Sequence, residues 1–84
     1  METFNDIPHD QMWHWSNTKL PPKIGDVVKV NFNGLGFGTI QYYFVHDQYL
    51  GVGVKPAHPP AWWVKVNTKL GRTCYEVYGA EVEY

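Results

Sequence analysis

The chain has 84 residues, of which 44% are hydrophobic and 17% aromatic, with seven Lys and Arg against eight Asp and Glu. This content excludes a wholly disordered chain, and the length allows one small domain with a marginal core. The net charge of −1 argues against a protein that mainly coats duplex nucleic acid, because such domains are usually basic.

The single cysteine, Cys74, excludes an internal disulfide. The fold therefore does not depend on an oxidising compartment. No stretch approaches the roughly 18 apolar residues of a membrane-spanning helix, and the acidic first residues lack a signal-peptide core. We expect a protein of the cytoplasm with no membrane partner.

Residues 1–24 contain several prolines and show no alternating pattern. Within them, residues 6–15 predict a short helix, because Asp6 can cap it and Pro8 would lie in its first turn, where a missing N–H is tolerated. We therefore predict an N-terminal arm over residues 1–24 and a β domain over residues 25–84.

The β domain begins with two predicted strands, residues 26–32 and 37–46, around a glycine-rich stretch at 33–38. Glycines at every second position allow the backbone to turn sharply or to pass close to another strand. The period of two in the second strand places three side chains on one face. These are Ile40, Tyr42 and Phe44.

Residues 46–48 predict a tight hairpin into a third strand over residues 49–55. Its inward side chains are Leu50, Val52 and Val54. Its opposite face is almost bare because of Gly51 and Gly53.

The remaining segments are a proline-rich loop at 56–60, a fourth strand at 62–66, a turn at 67–72 and a closing strand at 74–82. Five short strands within about 60 residues favour a mainly β fold, namely a small SH3-like five-stranded antiparallel barrel preceded by the arm. The alternative is an OB-fold, which usually has a longer chain and a helix between its third and fourth strands.

A resemblance to SH3-like modules, including KOW and Tudor-type domains, lies in residues 25–30 (GDVVKV) and 36–40 (GFGTI). Further short segments, among them residues 33–36, 59–62 and 78–83, look like a group of small uncharacterised proteins of tailed bacteriophages and prophages. The resemblance covers residues 25–83. It implies a fold and a viral origin, and it brings no known active site.

Catalytic and metal chemistry is not indicated by the spacing of the reactive residues. The glycine-rich stretch lacks the following helix and the Gly-Lys-Ser/Thr that a phosphate-binding loop requires. The four histidines and Cys74 do not show the spacing of converging zinc ligands. Without paired acids or a triad signature we predict no enzyme activity, no catalytic residue, no metal and no cofactor.

The aromatic residues exceed what so small a barrel can bury. In adjacent pairs such as Trp62-Trp63 and Tyr42-Tyr43, alternation directs one ring inward and one outward. The outer rings can stack on bases, proline or another aromatic ring. The alternative is that the arm folds back and covers them.

The predicted contact surface combines the glycine loop, the proline-rich loop, outward rings and nearby cations. Its residues are Phe37, Tyr43, Tyr49, His58, Trp62, Trp63, Lys65 and Arg72. The structural alternative for the cations, which include Lys55 and Lys69, is a solvated charged face.

The first predicted function is that of a non-enzymatic phage accessory protein that binds and inhibits a bacterial host or defence protein. A second is sequestration of a nucleotide or of single-stranded nucleic acid, in which Lys65 and Arg72 act together with stacking rings. A third is a virion component or homo-oligomer, in which the bare face of Gly51 and Gly53 allows a second subunit to approach closely.

Overall fold

One antiparallel sheet organises residues 2–84, the part of the chain that the computed structural model describes. Its strands are β1 (Thr3–Phe4), β2 (Val27–Val30), β3 (Gly36–His46), β4 (Tyr49–Pro56), β5 (Tyr75–Tyr78) and β6 (Val82–Glu83). A helix, α1 (Ala61–Lys69), separates β4 from β5, and a 3-10 turn, Gly79–Glu81, separates β5 from β6.

The strand order is β5-β4-β3-β2-β6, and β1 pairs with the far end of β3. β6 returns to pair with β2, but β5 and β6 do not pair with each other within residues 2–84, so the sheet is not closed. The prediction of a mainly β antiparallel fold is confirmed. The predicted five-stranded closed barrel is replaced by an open sheet of six strands and one helix.

The β3–β4 hairpin has the geometry that the sequence predicts for residues 46–48. Asp47 and Gln48 both have positive φ angles, 50° and 67°, between the paired residues His46 and Tyr49. Two consecutive positive φ angles match the right-handed twist of the flanking strands. The predicted hairpin is confirmed.

A register shift in β3 overturns the predicted faces of that strand. Pairing with β4 shifts between Ile40 and Tyr42, leaving Gln41 as the extra residue of a bulge. An extra residue exchanges the two faces of every later position. Tyr43 therefore joins Ile40 in the core, whereas Tyr42 and Phe44 lie on the other face.

The core lies on one face of the sheet, where β4 contributes its predicted inward residues. Leu50, Val52 and Val54 are buried as expected. They pack with residues from every part of the chain, namely Trp15, Val28, Val30, Leu35, Ile40, Tyr43, Trp63, Val77 and Val82. Burial of these side chains supplies the main favourable term in folding.

The N-terminal arm contains no helix in residues 2–24, so the helix predicted for residues 6–15 is wrong. The arm instead extends the sheet: β1 pairs with β3, and His14 forms a parallel bridge with Tyr49. Trp15 is buried, and its Nε1 donates to the Tyr84 hydroxyl at 2.8 Å. The arm covers part of the core, and its backbone bonds to strands replace those of a helix.

The predicted fourth strand, residues 62–66, is wrong because this segment forms α1. Pro60 is the N-cap residue, and Gly71 follows the helix with a φ of 68°. Proline at the start, a basic residue in the last turn and glycine just beyond the end are helix signals. They outweigh the β propensity of the valines between them. No helix in residues 2–84 has the length and apolar character needed to cross a bilayer.

The outer face of β4 is covered by aromatic rings and is not bare. A Cβ at Gly51 would overlap the ring of Phe44, and one at Gly53 would overlap the ring of Tyr42. Both rings come from the neighbouring strand β3 and lie across the glycine backbone. The space that we predicted for a second subunit is therefore filled from within the chain.

Substitution of Gly51 tests this packing. We expect Gly51→Ala to lower the free energy of unfolding by about 1–3 kcal/mol, because the Phe44 ring is buried and has nowhere to move. Gly53→Ala should cost less, because Tyr42 is only partly buried and can swing outward. Urea denaturation followed by circular dichroism measures both, and equal costs would contradict the ring-over-glycine packing.

Candidate functional site

The predicted contact residues do not form a single surface. Tyr43 and Trp63 are buried, and Tyr49 lies at the hairpin end of β4. The others are exposed in the strand, loop and helix near the opposite end, and they are Phe37, His58, Trp62, Lys65 and Arg72.

Trp62 and Trp63 have opposite environments because they are neighbours on a helix. Trp63 is 5% exposed and is the buried residue of α1, whereas Trp62 is 48% exposed. One ring in and one ring out is the predicted arrangement, although a helix produces it here. The expectation that Trp63 belongs to the contact surface is corrected, because its ring is part of the core.

The attachment of α1 to the sheet depends on Trp63. Among residues 2–84 its indole Nε1 is buried without a hydrogen-bond partner, which costs about 1–3 kcal/mol. Asn67 closes the end of the helix, because its Nδ2 donates to the Trp63 carbonyl at 2.9 Å and its carbonyl accepts from the Arg72 N–H. The other side chains of α1 are exposed or only partly buried.

Because Trp63 is the buried residue of α1, the helix has an exposed side that carries apolar and cationic side chains. Trp62, Lys65, Val66 and Lys69 are spaced i, i+3, i+4 and i+7, so they share one side of α1. Val66 is 54% exposed, and Leu70 continues the apolar row beyond the helix. We call Trp62, Lys65, Val66 and Lys69 the α1 face.

The charge around the α1 face differs from that of the whole chain. Residues 48–75 contain four cations, Lys55, Lys65, Lys69 and Arg72, and no Asp or Glu. All the acidic residues lie before or after this segment. The overall charge of −1 therefore conceals a locally positive segment of the chain.

Phe37 lies next to the start of the proline-rich loop, residues 56–60, which precedes α1. The Ala57 N–H donates to the Phe37 carbonyl at 3.0 Å, and Gly38 pairs with Pro56. Phe37 and His58 are both exposed. The exposed ring of Phe37 thus borders the loop that leads into the α1 face.

Tyr43 is a core residue and not a surface ring. It is 3% exposed, and its hydroxyl donates to the Pro22 carbonyl at 2.6 Å. The bulge at Gln41 turns it inward, and the hydrogen bond ties the arm to β3. This burial corrects the prediction that Tyr43 presents its ring to a partner.

Tyr49 belongs to a separate aromatic group. Its ring packs edge-on against His14 and against Tyr78, with ring centroids 5.6 and 6.2 Å apart. Tyr49 and Pro56 are seven positions apart in β4, a distance of roughly 23 Å at the rise of a strand. Tyr49 therefore cannot act together with the α1 face in one small contact.

A polar cleft beside the end of α1 contains residues that sequence reasoning missed. It has a volume of about 520 Å3 and is lined by Tyr42, Asn67, Gly71, Arg72, Thr73, Cys74, Tyr75 and Glu76. The Tyr42 hydroxyl donates to Glu76 Oε2 at 3.0 Å. Only the bulge brings Tyr42 to this face, and no sequence pattern indicated the bulge.

The surroundings of Cys74 in the cleft do not favour its thiolate form. Burial raises the pKa of the Cys74 thiol, and only part of this is offset by the Thr73 hydroxyl and the charge of Lys55. A raised pKa lowers the thiolate fraction that reacts. Residues 2–84 also contain no group of three or more His, Cys, Asp or Glu placed to hold a metal ion.

Comparisons with protein-family models, with curated proteins and with solved structures found no match to this chain.

The adjacent tryptophans provide a matched pair of variants. We expect Trp63→Ala to lower the free energy of unfolding by about 3–5 kcal/mol, because it removes the buried side chain of α1. Trp62→Ala should change it by less than about 0.5 kcal/mol, because its ring is half exposed. Urea denaturation followed by circular dichroism distinguishes them, and similar losses for both would contradict the proposed orientation of α1.

The tyrosines predict a loss of stability at alkaline pH. Burial raises the pKa values of Tyr42, Tyr43, Tyr75 and Tyr78 above their ordinary value. The unfolded chain therefore releases these protons first, and the free energy of unfolding should fall as the pH rises above about 10. Unfolding curves at several pH values measure the slope. Tyr42→Phe should make it shallower, and a level profile would contradict the prediction.

Proposed function

We propose that this chain is a non-enzymatic accessory protein of the tailed-phage type that binds and inhibits a bacterial host or defence protein. In this proposal it acts in the host cytoplasm, and the α1 face inserts into an apolar groove with an acidic rim on the partner. The observation that carries the proposal is the exposure of Trp62 and Val66 beside Lys65 and Lys69 on one side of a helix.

The chemistry of the α1 face supports a protein partner. Apolar residues at i and i+4 on a helix are the side chains that insert when a helix binds in a groove. A half-exposed tryptophan is the residue type that most often dominates such contacts. Lysines at the edge of the apolar row favour acidic residues around the groove, since charge complementarity increases the association rate and excludes other partners.

The strand order also supports an SH3-like architecture for the sheet. Strands β2 to β5 pair consecutively, and β6 comes back to the free side of β2 after a 3-10 turn. A strand that returns to the first strand of such a meander brings the sheet towards a barrel. We therefore propose that the fold is an open variant of the small SH3-like barrel, extended by β1 and by α1.

The other two predicted functions have less support at this surface. Bases stack on aromatic rings, and the aliphatic side chains of Val66 and Leu70, which are exposed beside Trp62, offer no such platform. A homo-oligomer or virion contact through Gly51 and Gly53 would require space that the Phe44 and Tyr42 rings occupy. A protein groove uses both the aliphatic and the cationic parts of the α1 face.

The experiment is affinity capture from a bacterial lysate, followed by purification of the recovered protein and titration calorimetry. We expect Trp62→Ala to weaken binding roughly thirtyfold or more, as for the central residue of an interface. Lys65→Gln should weaken it less and should reduce its salt dependence. Inhibition of the partner's activity should decrease in parallel with affinity.

Tyr49→Ala is the matched control, because it also removes an exposed aromatic ring but lies at the hairpin end of β4. It should leave the affinity within a factor of about two, since contacts outside an interface contribute little. Capture that survives Trp62→Ala, or that is lost equally with Tyr49→Ala, would refute the α1 face as the binding surface.

A further inference from the structure

The cleft beside α1 has a flat aromatic floor. Tyr42 on β3, Gly53 on β4 and Glu76 on β5 are aligned across the three strands. Because Gly53 has no side chain, the Tyr42 ring lies over β4 and its hydroxyl reaches the Glu76 carboxylate. The hydrogen bond fixes the ring in this position, and one side of the ring lines the open cleft.

The lining of the cleft also contains an unpaired cation. Arg72 and Asn67, from the end of α1 and the following turn, line the same space as Tyr42. Arg72 takes no part in a salt bridge within residues 2–84, so its guanidinium has no carboxylate within salt-bridge distance.

These groups suit a ligand that has both a planar ring and an anion. The volume of about 520 Å3 is within the usual range for small-molecule sites. An aromatic ring held flat is a stacking surface for a base, and a guanidinium binds phosphate through paired N–H donors. The Glu76 carboxylate at the edge of the ring can accept hydrogen bonds from the N–H groups of a base.

We propose that this cleft binds a nucleoside monophosphate, with its base on the Tyr42 ring and its phosphate on Arg72. The site is separate from the α1 face and does not rest on the function proposed above. Arg72 is the residue of the predicted contact surface that lies in this cleft. The floor depends on two features, the bulge at Gln41 and the glycine at position 53.

Equilibrium binding of AMP, GMP, CMP and UMP to the full chain tests the proposal. Titrations followed by NMR use adenosine, ribose 5-phosphate and inorganic phosphate as fragments of the ligand. We expect at least one nucleotide to bind with a dissociation constant below about 1 mM. It should bind at least tenfold more tightly than adenosine or ribose 5-phosphate, because both contacts are needed.

Variants assign the two contacts. Arg72→Gln should weaken nucleotide binding at least tenfold and leave adenosine binding within twofold, because it removes the phosphate contact alone. Tyr42→Leu should weaken the binding of nucleotide and adenosine alike, and Tyr42→Phe, which keeps the ring, should retain most of the adenosine affinity. Lys29→Gln, which removes an exposed cation on β2, is the matched control and should change nothing.

Several outcomes would overturn the proposal. These are no binding of any of the four nucleotides, equal binding of ribose 5-phosphate or phosphate alone, and unchanged nucleotide affinity in Arg72→Gln. Thermal melting of each variant separates loss of the site from loss of the fold. Arg72→Gln is the decisive variant, because Arg72 is exposed and its side chain lacks a partner in the described chain.

Discussion

The bulge at Gln41 is the constraint on which the two faces of this sheet depend. Before it, Ile40 faces the core, and after it Tyr43 does, so that Tyr42 and Phe44 are directed to the opposite face. Those two rings then cover Gly53 and Gly51 of the neighbouring strand. One extra residue in β3 thereby determines which aromatic side chains join the core and which pack over the glycines on the other face of the sheet.

The second organising feature is the way in which α1 is attached. A helix with one buried side chain, Trp63, has most of its surface in solvent. Such an element is held by few contacts and belongs to the less stable part of a fold. The same arrangement leaves Trp62, Val66 and the neighbouring lysines free for a partner, so the exposed surface arises from sparse packing.

The two candidate sites, the α1 face and the cleft at the end of α1, use different chemistry. The α1 face combines aliphatic, aromatic and cationic side chains, which suits a protein groove. The cleft combines a fixed ring, a carboxylate and an unpaired guanidinium, which suits a small anionic ligand. Arg72 lines the cleft and lies in the turn that carries the chain from α1 to β5.

The sequence by itself determined the mainly β class, the hairpin at residues 46–48 and the inward row Leu50, Val52 and Val54, because local periodicity and turn preference decide these features. Only the tertiary structure decided that residues 61–69 form a helix, that the arm adds a strand, and that Tyr43 and Trp63 are buried. A bulge exchanges the inward and outward positions of a strand, and the amino-acid composition does not indicate where it occurs. The Tyr42–Glu76 contact joins residues far apart in sequence, so it depended on strand register, which no local pattern contains.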